Sequence, residues 1–144
     1  MRFWDTSAIV PLVVREAASD GLRRLYRDDP LNVVWWSCPV ECSSAVARRE
    51  REGAMELAQA VDALRNLDAI ARTWIEVRPV MPLRDRARRL LRVHPLRAAD
   101  ALQLAAALAV GSEAPEMEFV CLDRRLVEAA LREGLRVATL PASD

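Results

Sequence analysis

Four acidic residues sit where the apolar sequence changes character: Asp5 after "RFW", Glu41 in "CPVEC", Asp100 in "LRAAD" and Asp123 after "FVCL". Each has an ordinary structural role open to it. Aspartate is a favoured helix N-cap, and acidic residues in a first turn complement the positive end of the helix dipole. Taken singly, Asp5 and Asp123 read most simply as caps. As a set they are harder to explain, because Asp5, Asp100 and Asp123 are embedded in apolar sequence, where an ionised carboxylate is costly to desolvate. Convergence would add mutual repulsion. A divalent cation relieves both costs, and all-oxygen ligation suits Mg²⁺ or Mn²⁺. Such a centre hydrolyses phosphodiesters by activating a water and neutralising charge on the phosphoryl group.

Competing chemistries have little material. The sequence has no lysine, so all 21 of its basic residues are arginine. That excludes a Walker-A phosphate loop and Schiff-base chemistry. An aspartyl-phosphate mechanism with Asp5 as nucleophile lacks both a lysine and a "DxD" pattern. Cys38 and Cys42 lie one helical turn apart, Cys121 is distant, and His94 is the single histidine. This is too little soft-ligand material for a zinc site, and the thiols read as buried, reduced, small hydrophobes. The net charge of zero argues neither for nor against a nucleic-acid partner.

The elements that must carry these residues follow from patterning. A length of 144 residues with 52% hydrophobic content fits a single globular domain spanning 1–144. Residues 2–5 read as a short strand and 7–14 as an apolar helical segment, with Pro11 near its first turn. Residues 19–27 form a second helix, "NVVWWS" a strand, and Pro39 opens a helix that runs to Glu52 before Gly53 stops it. Leu57, Val61, Leu64, Leu67, Ile70 and Trp74 recur at helical spacing across 54–74. "IEVRPV" is a strand left through Pro79 and Pro82, and 84–93 is a basic helix broken by "HPL". A small, apolar helix over 97–110 follows. "EFVCLD" is a strand, 124–133 a helix ended by Gly134, and "LRVATL" a last strand. Short strands alternating with helices predict an α/β domain with a mainly parallel, roughly five-stranded sheet. Ligands of such sheets bind outside the carboxyl ends of the strands, so acidic residues at strand ends should meet in one crevice.

The segments "FWDTSAIVPLV", "CPVECSSAVARRERE", "LRAADALQLAAAL" and "FVCLDRRLVEAALREGL" resemble, in order, the motifs of PIN-domain ribonucleases, in particular the VapC toxins of toxin–antitoxin pairs. The match runs from Phe3 to about Val137. The resemblance implies a three-layer α/β/α sandwich and metal-dependent endonucleolytic cleavage of RNA with Mg²⁺ or Mn²⁺. It also implies an acidic cluster of Asp5, Glu41, Asp100 and Asp123. In that cluster Asp5 and Asp100 ligate metal most directly, Glu41 ligates or positions the attacking water, and Asp123 completes the set. Thr6 and Ser7 match the small polar positions beside the first aspartate, where helix capping is the simpler role. Cys121 departs from the pattern, standing where many relatives carry threonine or serine. The family further implies a VapB-type antitoxin as partner, received near the first helices, and a homodimer.

Arg84, Arg86, Arg88, Arg89, Arg92 and Arg97 form the densest basic stretch. It reads either as an RNA-gripping surface or as a solvated helix face, with Arg97, Arg92 and Arg89 the candidates for RNA contact. His94, beside Pro95 in this basic turn, reads as a surface or RNA-facing residue. No apolar run reaches the length of a membrane span, and the start lacks a secretory signal pattern, so a cytoplasmic protein with no membrane partner is the expectation.

Overall fold

The central strand segments are too apolar to face water on either side, and in the computed structural model the strands form a five-stranded, wholly parallel sheet. The structure describes residues 1–140. The strands are β1 (Arg2–Trp4), β2 (Asn32–Trp35), β3 (Ile75–Val77), β4 (Glu118–Val120) and β5 (Arg136–Val137), in the order β3-β2-β1-β4-β5. In the central β1, Phe3 aligns with Val33 and Phe119, and Trp4 aligns with Val34 and Val120.

The two-residue period of a strand sends these two rows to opposite faces. The Trp4 row packs with Ile9, Leu22, Cys38 and Leu67. These belong to α1 (Thr6–Val13), α2 (Ser19–Arg27), α3 (Cys38–Arg51) and α4 (Leu57–Ala71). The Phe3 row packs with Leu83, Leu90, Leu104 and Leu126. They come from α5 (Met81–Val93), α6 (Ala98–Glu113) and α7 (Arg124–Arg132). Two helical layers around one parallel sheet give the expected three-layer sandwich. The chain lays down β1, β2 and β3 outward, then crosses back to place β4 and β5 on the other side of β1. The direction of winding therefore reverses at β1, and the carboxyl ends of β1 and β4 flank the crevice that such a reversal opens.

Trp4 also carries the buried polar network that fixes β1. Its indole Nε1 donates to Asn32 Oδ1 at 2.8 Å, and Asn32 Nδ2 donates to the carbonyls of Tyr26 at 3.1 Å and Asp29 at 2.9 Å. The Tyr26 ring meets Trp4 edge-on, with centroids 5.2 Å apart.

Several element bounds differ from the sequence expectation, each for a local reason. Asp5 caps α1, so the helix begins at Thr6 and Pro11 lies in its interior, beyond the first turn. α4 begins at Leu57, where Gln59 Oε1 accepts from the Glu56 N–H at 2.9 Å, after a turn in which Gly53 takes φ +74°. α5 starts earlier than expected, because Pro82 fits its first turn instead of preceding it. The α4 stripe is corrected more substantially. Ala60, Ala63 and Leu67 are the buried residues of this helix, while Leu57, Val61 and Leu64 face solvent. The two alanines let α4 approach Val46 of α3 more closely than bulkier residues would.

His94 is also corrected. It is buried, not a surface residue, and its Nε2 lies 2.7 Å from Glu133 Oε1. Arg89 Nη2 donates to Glu133 Oε2 at 2.7 Å. Both contacts hold the Glu133 carboxyl below its ordinary range. The clamp joins the end of α5 to the residue that closes α7. All three cysteines are buried and free, as expected. No helix among the described residues is long and apolar enough to cross a membrane.

The Trp4–Asn32 network yields a stability prediction. Asn32→Ala strands the buried indole N–H and should lower unfolding free energy by about 1–3 kcal/mol in urea denaturation. A loss within about 0.5 kcal/mol would show that the network does not hold β1 in place.

Candidate active site at the carboxyl ends of the sheet

The chain direction changes abruptly after β1 and after β4, and an aspartate makes each change. The Asp5 backbone N–H still donates to the Val120 carbonyl at 2.9 Å, extending the pairing of β1 with β4 by one residue. Its side chain turns to α1, with Oδ2 accepting from the Ser7 N–H at 2.9 Å. Asp123 repeats the device after β4, its Oδ1 accepting from the Leu126 N–H at 3.0 Å to cap α7. Asp100, in the first turn of α6, accepts at 3.4 Å from the Arg97 N–H through Oδ2. The capping roles expected for Asp5 and Asp123 are therefore real. They occupy one oxygen each, and the second oxygen of Asp100 and of Asp123 accepts no hydrogen bond from any described residue.

These three aspartates and Glu41 line one cleft of about 500 Å³. Its walls are completed by Thr6, Ser7, Ser44, Ala45, Arg48 and the Glu16–Arg49 ion pair. Burial pushes the Asp5 carboxyl up to about 6, and the negative charge of Glu41 adds to the rise, while the contacts with Ser7 and Cys121 oppose it. Asp100 is also raised, first by desolvation and then by the charges of Asp123 and Glu41. Glu41 thus acts electrostatically on both Asp5 and Asp100, and Asp123 acts on Asp100.

Glu41 is held more firmly than the others. Its Oε2 accepts from Thr6 Oγ1 at 3.0 Å and from Gln103 Nε2 at 3.2 Å, and its Oε1 accepts from Ser37 Oγ at 2.5 Å. Gln103 Nε2 also donates to Thr6 Oγ1 at 2.7 Å. Gln103 is fully buried, and its Oε1 has no hydrogen-bond partner among the described residues. Sequence reasoning passed over it. The available signal was a lone amide inside "ALQLAAALAV", three residues after Asp100 and so on the same helical face.

Thr6 and Ser7 do not cap α1. Thr6 ties α1 to Glu41 of α3, and Ser7 Oγ accepts from the Leu122 N–H at 2.9 Å, joining α1 to the segment after β4. Cys121, the departure from the family pattern, lies against the first aspartate. Its thiol donates to Asp5 Oδ2 at 3.5 Å. Burial and the Asp5 charge push the Cys121 thiol well above its usual range, which keeps the proton needed for that donation.

Arg48 and Arg49 of α3 line the acidic cleft, whereas none of the six arginines from Arg84 to Arg97 does. Arg89 is spent on Glu133, Arg88 on Asp85, and Arg92 is exposed. Arg97 stands at the start of α6, where its charge acts on Asp100.

Among the described residues no group of three His, Cys, Asp or Glu side chains is gathered closely enough to hold an ion on its own. That donor set still fits Mg²⁺, which keeps several waters and takes only one or two carboxylates together with substrate phosphate.

The described residues form a parallel α/β/α sandwich with four carboxylates lining one cleft at its switch point. The chain belongs to the VapC ribonuclease family. It is 33% identical over 148 aligned positions to "Ribonuclease VapC45" of Mycobacterium tuberculosis (strain CDC 1551 / Oshkosh), an alignment covering 94% of this chain and 93% of the relative. "Ribonuclease VapC49" of Mycobacterium tuberculosis strain H37Rv matches with the same identity and coverage. No family model matches the chain. Among solved structures, Mycobacterium tuberculosis VapC20, a sarcin–ricin loop cleaving toxin, shares the fold with a TM-score of 0.71 at 19% identity, covering 98% of this chain and 100% of that one. A toxin–antitoxin complex from Klebsiella pneumoniae shares it with a TM-score of 0.59 at 14% identity, covering 85% and 87%.

The buried Asp5 makes metal-free stability depend on pH. Its folded value of about 6 exceeds the ordinary 3.8, so its contribution is complete below about pH 4 and is lost as pH rises through 6. Asp5→Asn keeps an oxygen for the Ser7 cap and removes the charge. In EDTA the variant should match wild type near pH 4 and exceed it at pH 8 by a margin on the order of 3 kcal/mol in chemical denaturation. Parallel stability profiles for the two proteins would contradict this assignment.

Proposed function

We infer that this chain is an endoribonuclease, the toxin half of a VapBC-type pair, and that it hydrolyses RNA phosphodiester bonds with Mg²⁺ or Mn²⁺ as cofactor. The observation that carries this reading is the convergence of Asp5, Glu41, Asp100 and Asp123 on one cleft in a VapC-family chain. Asp5 and Asp100 are the residues that would hold the ion, with Asp123 completing the set. When bound, the ion supplies charge neutralisation at the phosphoryl oxygens and acidifies water. Glu41, anchored by Thr6, Ser37 and Gln103, orients the attacking water from a fixed position. Its side chain needs no rearrangement when substrate arrives, which is the advantage of a preorganised site.

An antitoxin partner belongs to the same reading. Ile9, Val10, Val13 and Leu22, the apolar surplus of the first helices, are consumed by the core. What stays open is a groove of about 340 Å³ lined by Leu12, Arg23, Tyr26, Asn66 and Ile70, and we place the partner there.

Purified protein should cleave RNA when Mn²⁺ or Mg²⁺ is added and stop when EDTA is present. Asp5→Asn and Asp100→Asn should each lower the cleavage rate by at least about a hundredfold. Full activity in both variants would overturn the assignment. Gln103→Leu removes the amide that steadies Glu41 both directly and through Thr6, so it should lower kcat about tenfold with little change in KM. A rise in KM with unchanged kcat would instead make Gln103 a substrate-binding residue.

A further inference from the structure

An acidic cleft repels the polyanion it must receive, so something in its walls has to attract phosphate. The lining includes two cations, Arg48 and Arg49. Arg49 is committed to Glu16. Arg48 is exposed, and its guanidinium forms no hydrogen bond or ion pair with any described residue. It follows Glu41 by seven residues on α3, and Ser44 and Ala45 lie between them at three and four residues. All four residues share one helical face and all four line the cleft.

We propose that Arg48 is the phosphate-gripping residue of this cleft, binding an RNA backbone phosphate next to the one that is cleaved. The proposal rests on the ribonuclease reading above and assigns the wall along which the RNA strand runs. Seven residues correspond to about 10 Å along the helix, which places Arg48 two turns from Glu41 and the water it orients. A neighbouring phosphate suits that displacement. Long helical side chains lean toward the helix N-terminus, which inclines the guanidinium toward the acidic cluster. Guanidinium also matches phosphate geometry with paired N–H donors, and it cannot lose its charge at working pH. Ser44, exposed between the two, adds a hydroxyl along the same path.

The test measures binding of a fluorescein-labelled single-stranded RNA by anisotropy between 50 and 200 mM KCl, with cleavage followed separately in Mn²⁺. Each phosphate contact on single-stranded nucleic acid contributes about 0.7 to the slope of log affinity against log salt. Arg48→Ala should weaken binding about tenfold and reduce that slope by about 0.7, and raise KM while leaving kcat within about threefold. Arg48→Lys should restore most of the slope, since the point charge remains. Arg65→Ala, on the exposed side of α4, should leave the slope unchanged. An unchanged slope in Arg48→Ala, or no RNA binding by the wild type, would overturn the proposal. If Arg48→Ala shows the loss but the wild type cleaves nothing in Mn²⁺, the nuclease reading falls and the phosphate site stands.

Discussion

A carboxylate taken out of water beside other acidic side chains is the constraint on which this structure depends. Asp5 is almost entirely enclosed, and its carboxyl is pushed up to about 6 by that enclosure and by Glu41. Asp100 is raised in turn by burial and by Asp123 and Glu41. A fold evolved only for stability would place apolar residues at these strand ends, because a buried unpaired charge is among the costliest features a core can carry. The sheet, its order and the helices that follow its strands are arranged to hold this unfavourable cluster in place.

The protein offsets part of the cost with its own backbone. Asp5 and Asp123 each accept from the first turn of the helix they cap, and Asp100 accepts from the start of α6. A helix N-terminus carries partial positive charge, so three helices point favourable potential at three carboxylates. Glu41 is satisfied by side chains from three separate segments, Thr6, Ser37 and Gln103. These bonds cross between α1, α3 and α6, so anchoring Glu41 also locks together the helices that surround the cleft. A divalent cation, as proposed here, accounts for the charge that the backbone leaves uncompensated.

How much of this was legible in the sequence depends on the range of the interaction. Asp5 and Asp123 could be read locally, because an acid between an apolar strand and a helix is a short-range pattern. Glu41 and Asp100 were readable as first-turn acids, and their place in the cluster came from the resemblance to PIN-domain ribonucleases. The Glu41 anchor was not readable, since Gln103 lies 62 residues from Glu41 and resembles a stray polar residue in an alanine-rich helix. The Glu133 clamp hid in the same way, spanning 39 residues to His94 and turning a supposed surface histidine into a buried one. In α4, hydrophobicity alone pointed to Leu57, Val61 and Leu64, whereas close packing against α3 favoured the alanines. The two cleft-lining arginines, Arg48 and Arg49, lie outside the dense basic stretch, and only helical spacing from Glu41 marks Arg48 in the sequence.

The central claim is that these carboxylates form one cation site, and direct Mn²⁺ binding tests it without reference to RNA. Calorimetric titration of metal-stripped protein should show Mn²⁺ binding to the wild type. Asp100→Asn and Asp123→Asn should each weaken that binding by about tenfold or more, because each removes an oxygen donor of the same site. Mn²⁺ affinity that is absent in the wild type, or equal in all three proteins, would contradict the account.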